Sequence, residues 1–246
     1  MKTRRELKEQ SKDLLRGNWL NGILLNLIPT IIQLVLIAAF IVALGWMGFN
    51  FNDVKESISH AADYSTNGGN NGGNMIGSIV STVFLVGIQY TFLDWVRNRD
   101  YEVHPLRDAF QVFSQPYFWG TIGLFFIQMI YVWLWSLLFI IPGIVKSYAY
   151  KQSYFVYKDR RDVSGDAPVS FLGSITESRA LMYGHKIDYF VLQLSFLGWD
   201  ILSVITFGLG FLWLNPYKNA TYAGYYDELK RARDEQIKTE PKVIEH

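Results

Sequence analysis

The stretch "FLGWDILSV" (196–204) sets a single carboxylate, Asp200, inside an otherwise apolar run. Two amines lie in comparable surroundings, Lys146 in "IVKSYAY" (144–150) and Lys218 in "NPYKNATY" (215–222). Charges in apolar segments are costly and mark either packing or function. An Asp200–Lys146 or Asp200–Lys218 pair would keep both charges away from lipid. The same groups could pass a proton or hold a polar substrate. His185, in "YGHKID" (183–188), is expected at the inner mouth of the same segment and completes the candidate intramembrane polar site of Asp200, Lys146, Lys218 and His185. His104 is far from it in sequence, no H-E-x-x-H pattern occurs and there is no cysteine, so no metal site is expected. No spacing supports a Ser/His/Asp set or a pair of carboxylates in a water-filled pocket, so no catalytic residue and no cofactor are expected.

The elements that must carry these residues are long apolar runs. Half of the 246 residues are hydrophobic and 16% are aromatic. Residues 22–49 and 117–141 are each long enough to cross a hydrocarbon layer of about 30 Å at about 1.5 Å per residue. The first run is too long for a signal-peptide core and reads as a retained span. A net charge of +1 gives no support to nucleic-acid binding through bulk positive charge. Between the runs lie charged amphipathic stretches. Residues 2–16 place Leu7, Leu14 and Leu15 near one face, which suits a helix on a membrane surface or a solvated N-terminal helix. Leu106, Phe110, Phe113 and Tyr117 recur at helical spacing, and a third amphipathic piece runs from Pro168 to Tyr183. The "NGGNNGGN" tract (67–74) has no apolar face to bury and reads as part of an outer loop over 48–74.

Whether "PGIVKSYAYKQSYFVYKD" (142–159) leaves the membrane or re-crosses it is decided by charge. Lys and Arg gather on the cytoplasmic side. If 143–157 crosses and the block after Ile187 is a hairpin bent at "TFGLG" (206–210), the inner segments hold six, three, five and five basic residues in chain order. That is nineteen of the 23 Lys and Arg, with only Lys55 outside. The reading is an all-α polytopic bundle of six spans, arranged as three hairpins, each preceded by an amphipathic surface helix, with both termini cytoplasmic. "PGIVKSYAYKQSYFVYKD" and "NPYKNATYAGYYDELK" also look like copies, with "GIQYTFLDWVR" as a weaker third. Since every unit starts inside, these would be parallel internal repeats in a single membrane domain: 1–96 with its outer loop, 97–159, 160–228, and a cytoplasmic tail at 229–246.

These motifs, with "LKEQSKDLLRGNW", "SRALMYGHKIDYFVLQLSFLGWDIL" and "TFGLGFLWLNPYKNATYAGYYDEL", resemble the bacterial integral membrane protein family catalogued as domain of unknown function number 975. The resemblance covers nearly the whole chain except the Gly/Asn loop. It implies a multi-pass protein, mostly of Gram-positive bacteria, and supplies no reaction. A looser similarity, in hairpin organisation only, is to the membrane domain attached to some glycerophosphodiester phosphodiesterases, whose soluble catalytic domain this chain lacks. The expected function is therefore non-enzymatic. It is a multi-pass plasma-membrane protein that binds membrane lipids through their anionic headgroups, or a peptide or membrane-protein partner, with envelope stress or peptide immunity as the setting. The alternative is a small transporter using Asp200 with Lys146 or Lys218.

Overall fold

Thr3 opens the first helix with a reciprocal cap: its hydroxyl accepts from the Glu6 amide at 3.3 Å, and its own amide donates to the Glu6 carboxylate at 2.7 Å. The structure is a computed structural model that describes residues 2–46, 72–113, 115–138, 140–165 and 167–239. Helix α1 (Arg4–Leu15) carries the expected leucine stripe. The stripe is covered by the protein itself: Leu7, Leu14 and Leu15 are 2%, 8% and 0% exposed. Its partner is the last helix, α11 (Phe211–Thr239), along which it runs antiparallel. The Lys2 amide donates to Glu228 at 3.0 Å, and Leu7 lies beside Gly224.

Helices α2 (Trp19–Trp46, with Pro29 inside) and α3 (Gly72–Arg97) form the first pair. The expected connection at 48–74 falls almost wholly outside the described residues. Their lower ends meet in the main core, where Leu25, Ile88, Phe92 and Trp95 pack with Phe155, Ala223 and Tyr226. The second amphipathic stretch is not one helix. It is a short α4 (Pro105–Asp108) and a 3-10 turn (Gln111–Phe113). The turn winds closely over α3 at Gly87, so small side chains go inward. Ala109 and Val112 are fully buried, whereas Leu106, expected on the apolar face, is 71% exposed.

The tyrosine-rich segment does turn back. Helix α5 (Gln115–Leu138) is followed by α6 (Ile140–Tyr150) and α7 (Ser153–Ser164), broken only at Lys151–Gln152. The return leg lies beside α5 over its length. Ser136 faces Gly143 at the tip, Trp135 faces Lys146, Tyr131 faces Tyr150, Gly120 faces Tyr157 and Tyr117 faces Asp162 at the base. A helix of 24 residues is about 36 Å long, and α6 with α7 returns beside it over a comparable length.

The third amphipathic piece is α8 (Phe171–Leu181), capped by Ser170, so Pro168 stands just outside it. Its Ser178 hydroxyl donates to the Ala149 carbonyl at 2.8 Å, docking it on α6. The last hairpin climbs through α9 (Lys186–Leu194) and α10 (Leu197–Ile205), turns at 206–210 and returns in α11. The expected bend is there, with Phe207 at φ 54° and Gly208 at φ 85°. Both described tips close in the same way. A Cβ on Gly143 would stand 3.0 Å from Ser136 Cα, and one on Gly210 would stand 2.8 Å from Ser203 Cα. Each pair is a serine and a glycine seven positions apart. The expected tail at 229–246 is corrected over its first part. Helix α11 continues to Thr239 and Leu229 is 2% exposed, because Leu229 packs in the cluster that holds Leu7.

Among the described residues two segments, Tyr117–Leu137 and Lys186–Ile205, are long and apolar enough to cross a membrane. They are not core helices, since only 17% and 22% of their most apolar windows are buried. Their outward residues include Ile130, Trp133, Leu137, Ile187, Trp199 and Ile205, each at least half exposed.

Candidate functional site

Asp200 finds a lysine. Lys218 Nζ lies 2.9 and 3.0 Å from the two carboxylate oxygens of Asp200. The antiparallel register of α10 against α11 sets this pair, six residues before the bend and eight after it. Both side chains keep about a quarter of their surface exposed (28% and 23%). Lys146 and His185 are elsewhere. The Lys146 amine sits 4.2 Å from the centroid of the Trp135 ring, near the tip of the second hairpin. It shares its surroundings with the positive charges of Arg179 and Lys186. It was expected at the outer face, with Lys186 and His185 at the inner one. The crossing of α9 over α6 brings the two lysines to one place. His185 precedes α9. Its Nδ1 is 3.6 Å from Asp188, and its carbonyl accepts from the Tyr225 hydroxyl at 3.0 Å. The four expected residues thus resolve into one pair and two separate groups.

The strongest electrostatic feature lies at the other end of the hairpins. Helices α3, α7 and α11 bring Asp94, Asp159 and Asp227 together, with a base beside each. Lys158, 3% exposed, reaches Asp94 at 2.8 Å and Asp162 at 2.8 Å. Lys230 pairs with Asp159. Arg97 Nε reaches Asp227 at 3.0 Å, while its two terminal nitrogens grip Asp159 at 2.5 and 2.9 Å. Each helix therefore gives a base to the acid of another, and the three donations close a ring. Arg231 adds a contact to Asp227 at 2.8 Å. Four acids (Asp94, Asp159, Asp162, Asp227) are matched by four bases (Arg97, Lys158, Lys230, Arg231).

Hydrogen bonds hold the ring in place. The Tyr226 hydroxyl donates to Asp159 at 2.8 Å, Gln111 donates to Asp94 at 3.0 Å and Tyr117 donates to Asp162. Burial alone would raise the Asp159 carboxyl above its ordinary range. The hydrogen bonds and charges of Arg97, then those of Lys230, outweigh burial and hold it below that range. For Arg97 burial opposes the charge, and Asp159 and Asp227 again prevail and raise it. A carboxylate held ionised among matched bases is a poor proton carrier near neutral pH. The arrangement suits fixing the helix ends in register better than moving charge.

Sequence reading placed Asp94 and Asp227 at a membrane interface and did not single out Arg97, Lys158, Asp159 or Lys230. The signal was present: each of the three similar segments ends in an acid with a base within three residues. Beside the ring, a polar cavity of about 710 Å³ is lined by Asn98, Tyr101, Glu102, His104, Arg107 and Tyr117, among others. Burial first, and then Asp108, push the Tyr101 hydroxyl up to about 12, so it stays protonated near neutral pH. Among the described residues no group of three or more His, Asp or Glu side chains could hold a metal ion.

A family model described as "Protein of unknown function (DUF975)" matches residues 1–153 and 140–233 of the chain. No curated protein and no solved structure matches it.

Proposed function

The chain belongs to this DUF975 family, and on that premise we propose that it is a non-enzymatic multi-pass membrane protein whose three hairpins are clamped at their cytoplasmic ends by the charge ring. The observation that carries this reading is the unburied apolar surface of α5 and of α9–α10. A soluble protein would hide such surface in its core, and hydrocarbon is the solvent that suits it. The return of α6–α7 beside α5 and of α11 beside α9–α10 supports a six-span arrangement. Both termini and the loop before α8 face the cytoplasm on the distribution of Lys and Arg, and α8 rises from that loop along the second hairpin to Ala149.

The hairpins are internal repeats. Two things favour this: the Ser–Gly closure shared by the second and third tips, and the ring, to which each similar segment contributes an acid and a base. Helix α1 lies along the lower part of the third hairpin: the Lys8 amine donates to the Ser195 carbonyl at 3.2 Å and lies over Phe196, Lys12 lies over Tyr217, and Arg4 and Arg5 are exposed. The protein works by binding membrane components. Lipid is the first choice, with a peptide or protein partner as the other, in the cell envelope of a bacterium. The transporter alternative needs a water path to Asp200. Lys218 occupies the Asp200 carboxylate, which favours a structural pair there.

The test is purification in mild detergent from carbonate-washed membranes, followed by identification of co-purified lipids and proteins. Retention after the wash with a reproducible lipid or partner is expected. Release of the protein by carbonate would contradict the membrane reading, and uptake of a solute by proteoliposomes would favour transport.

A further inference from the structure

Where α9 crosses α6, a groove of about 520 Å³ opens between the second and third hairpins. It is lined by Val145, Tyr148, Gly184, Lys186, Ile187 and Phe190. The floor is aromatic: Tyr148 meets Phe190 edge to face, with centroids 5.9 Å apart, and Tyr189 at 6.3 Å. The rim faces outward, with Val145, Ile187 and Phe190 at 44%, 74% and 47% exposure. The volume falls in the range of sites for small organic ligands.

One end of this apolar groove is strongly basic. Lys186 lines it, the Lys146 amine on the turn of Val145 lies over the Trp135 ring at 4.2 Å, and Arg179 and Lys186 are the charges that act on Lys146. Among the described residues none of the three cations forms an ion pair. The acids on the same elements are turned elsewhere. Glu177 pairs with Arg160 at 2.9 Å, and Asp188 lies 3.6 Å from His185. This contrasts with the ring, where every base has its acid. Three like charges gathered without a counter-ion repel one another, and an anion among them relieves that cost.

The geometry points to a single anionic phospholipid, with an acyl chain in the groove between α6 and α9 and its phosphate held by Lys146, Arg179 and Lys186. The proposal rests on the membrane reading above and gives it a ligand class and a place. A free phosphate would satisfy the cations but leave the apolar groove empty. A zwitterionic lipid would fill the groove but bring its own positive charge to the cluster. Only a lipid with net negative charge matches both halves.

The experiment uses the full-length protein in detergent micelles. It measures thermal shift and lipid adducts in native mass spectra on titration with phosphatidylglycerol, phosphatidylcholine, glycerol 3-phosphate or inorganic phosphate. Phosphatidylglycerol should bind at least about tenfold more tightly than phosphatidylcholine, and the two water-soluble anions should give little shift. K146Q/R179Q/K186Q should lose that preference without lowering the melting temperature of the lipid-free protein, because none of the three bases is in an ion pair and their mutual repulsion is removed. V145W, which fills the groove from its rim, should weaken phosphatidylglycerol binding with the cations intact. Equal binding of the two lipids, a preference that survives in the triple variant, or inorganic phosphate matching phosphatidylglycerol would each overturn the site. Carbonate extraction of the same protein reports separately on membrane insertion. Insertion without lipid preference refutes this site alone.

Discussion

Two ion-paired regions among the described residues teach different things. At the base of the hairpins, Asp159 is 6% exposed and is met by Arg97, Lys230 and the Tyr226 hydroxyl from two other helices. Near the tip of the third hairpin, Asp200 is 28% exposed and is met by Lys218 alone, on the neighbouring leg of the same hairpin. The first links α3, α7 and α11, which are far apart in sequence. The second links two legs already joined by a tight bend. Removing the first should loosen the way the hairpins stand together, and removing the second should be felt within one hairpin.

The largest effect is expected from Asp159→Asn. It removes a carboxylate, 6% exposed, that Arg97, Lys230 and the Tyr226 hydroxyl all grip. The two bases left behind are about a third exposed, and losing hydrogen bonds to a buried charged group costs about 1.5–3 kcal/mol. Thermal melting in detergent should show a large fall, or no folded protein should be recovered. A melt like that of the wild type would mean that the ring does not bind the hairpins together.

Acid should act next, and on the ring. The folded Asp159 carboxyl is held below its ordinary range, so it binds a proton less readily in the folded than in the unfolded chain. The stability it contributes is fully present above the unfolded value of about 3.9 and is lost as pH falls through the lower folded value. Melting temperature should therefore show no loss from this group between pH 8 and pH 5, and a fall below about pH 4 that Asp159→Asn lacks. A transition of the wild type between pH 5 and pH 7 that Asp159→Asn abolishes would mean that burial outweighs the bases.

The smallest effect is expected from Asp200→Asn, about 1 kcal/mol, because the pair is partly exposed and each group has a single partner. The double variant D200N/K218Q should melt closer to the wild type than Lys218→Gln does, since it leaves no unpaired carboxylate. A loss from Asp200→Asn as large as that from Asp159→Asn would erase the contrast between the two regions and return Asp200 to the centre of the account.

The contrast also marks what could be read from the sequence. Hydropathy identifies Asp200, because one acid in an apolar run is conspicuous. It leaves Lys146 and Lys218 as equal partners, and only the register of α10 on α11 chooses Lys218. The ring was the harder case. Asp94, Asp159 and Asp227 sit where apolar runs end, and there a charge needs no explanation. Their meaning comes from three helix ends converging, which no local pattern states. Helix α1 repeats the lesson. Its leucine stripe was legible, but whether a membrane or α11 covers it depended on Lys2 meeting Glu228, 226 positions away. The hairpin bend at 206–210 and the return of the tyrosine-rich segment were legible because Gly, Pro and charge distribution act locally or additively. The second amphipathic stretch was misread because helical spacing alone could not register how closely the turn packs against α3 at Gly87.

The central claim is that the ends of α3, α7 and α11 lie together on the cytoplasmic side. Single-cysteine labelling at Arg99, Ser164 and Gln236 tests it most directly, since the natural chain has no cysteine and all three positions are exposed. In intact cells an impermeant maleimide should label none of the three, and after permeabilisation it should label them all. Labelling of any one of them from outside would contradict the account.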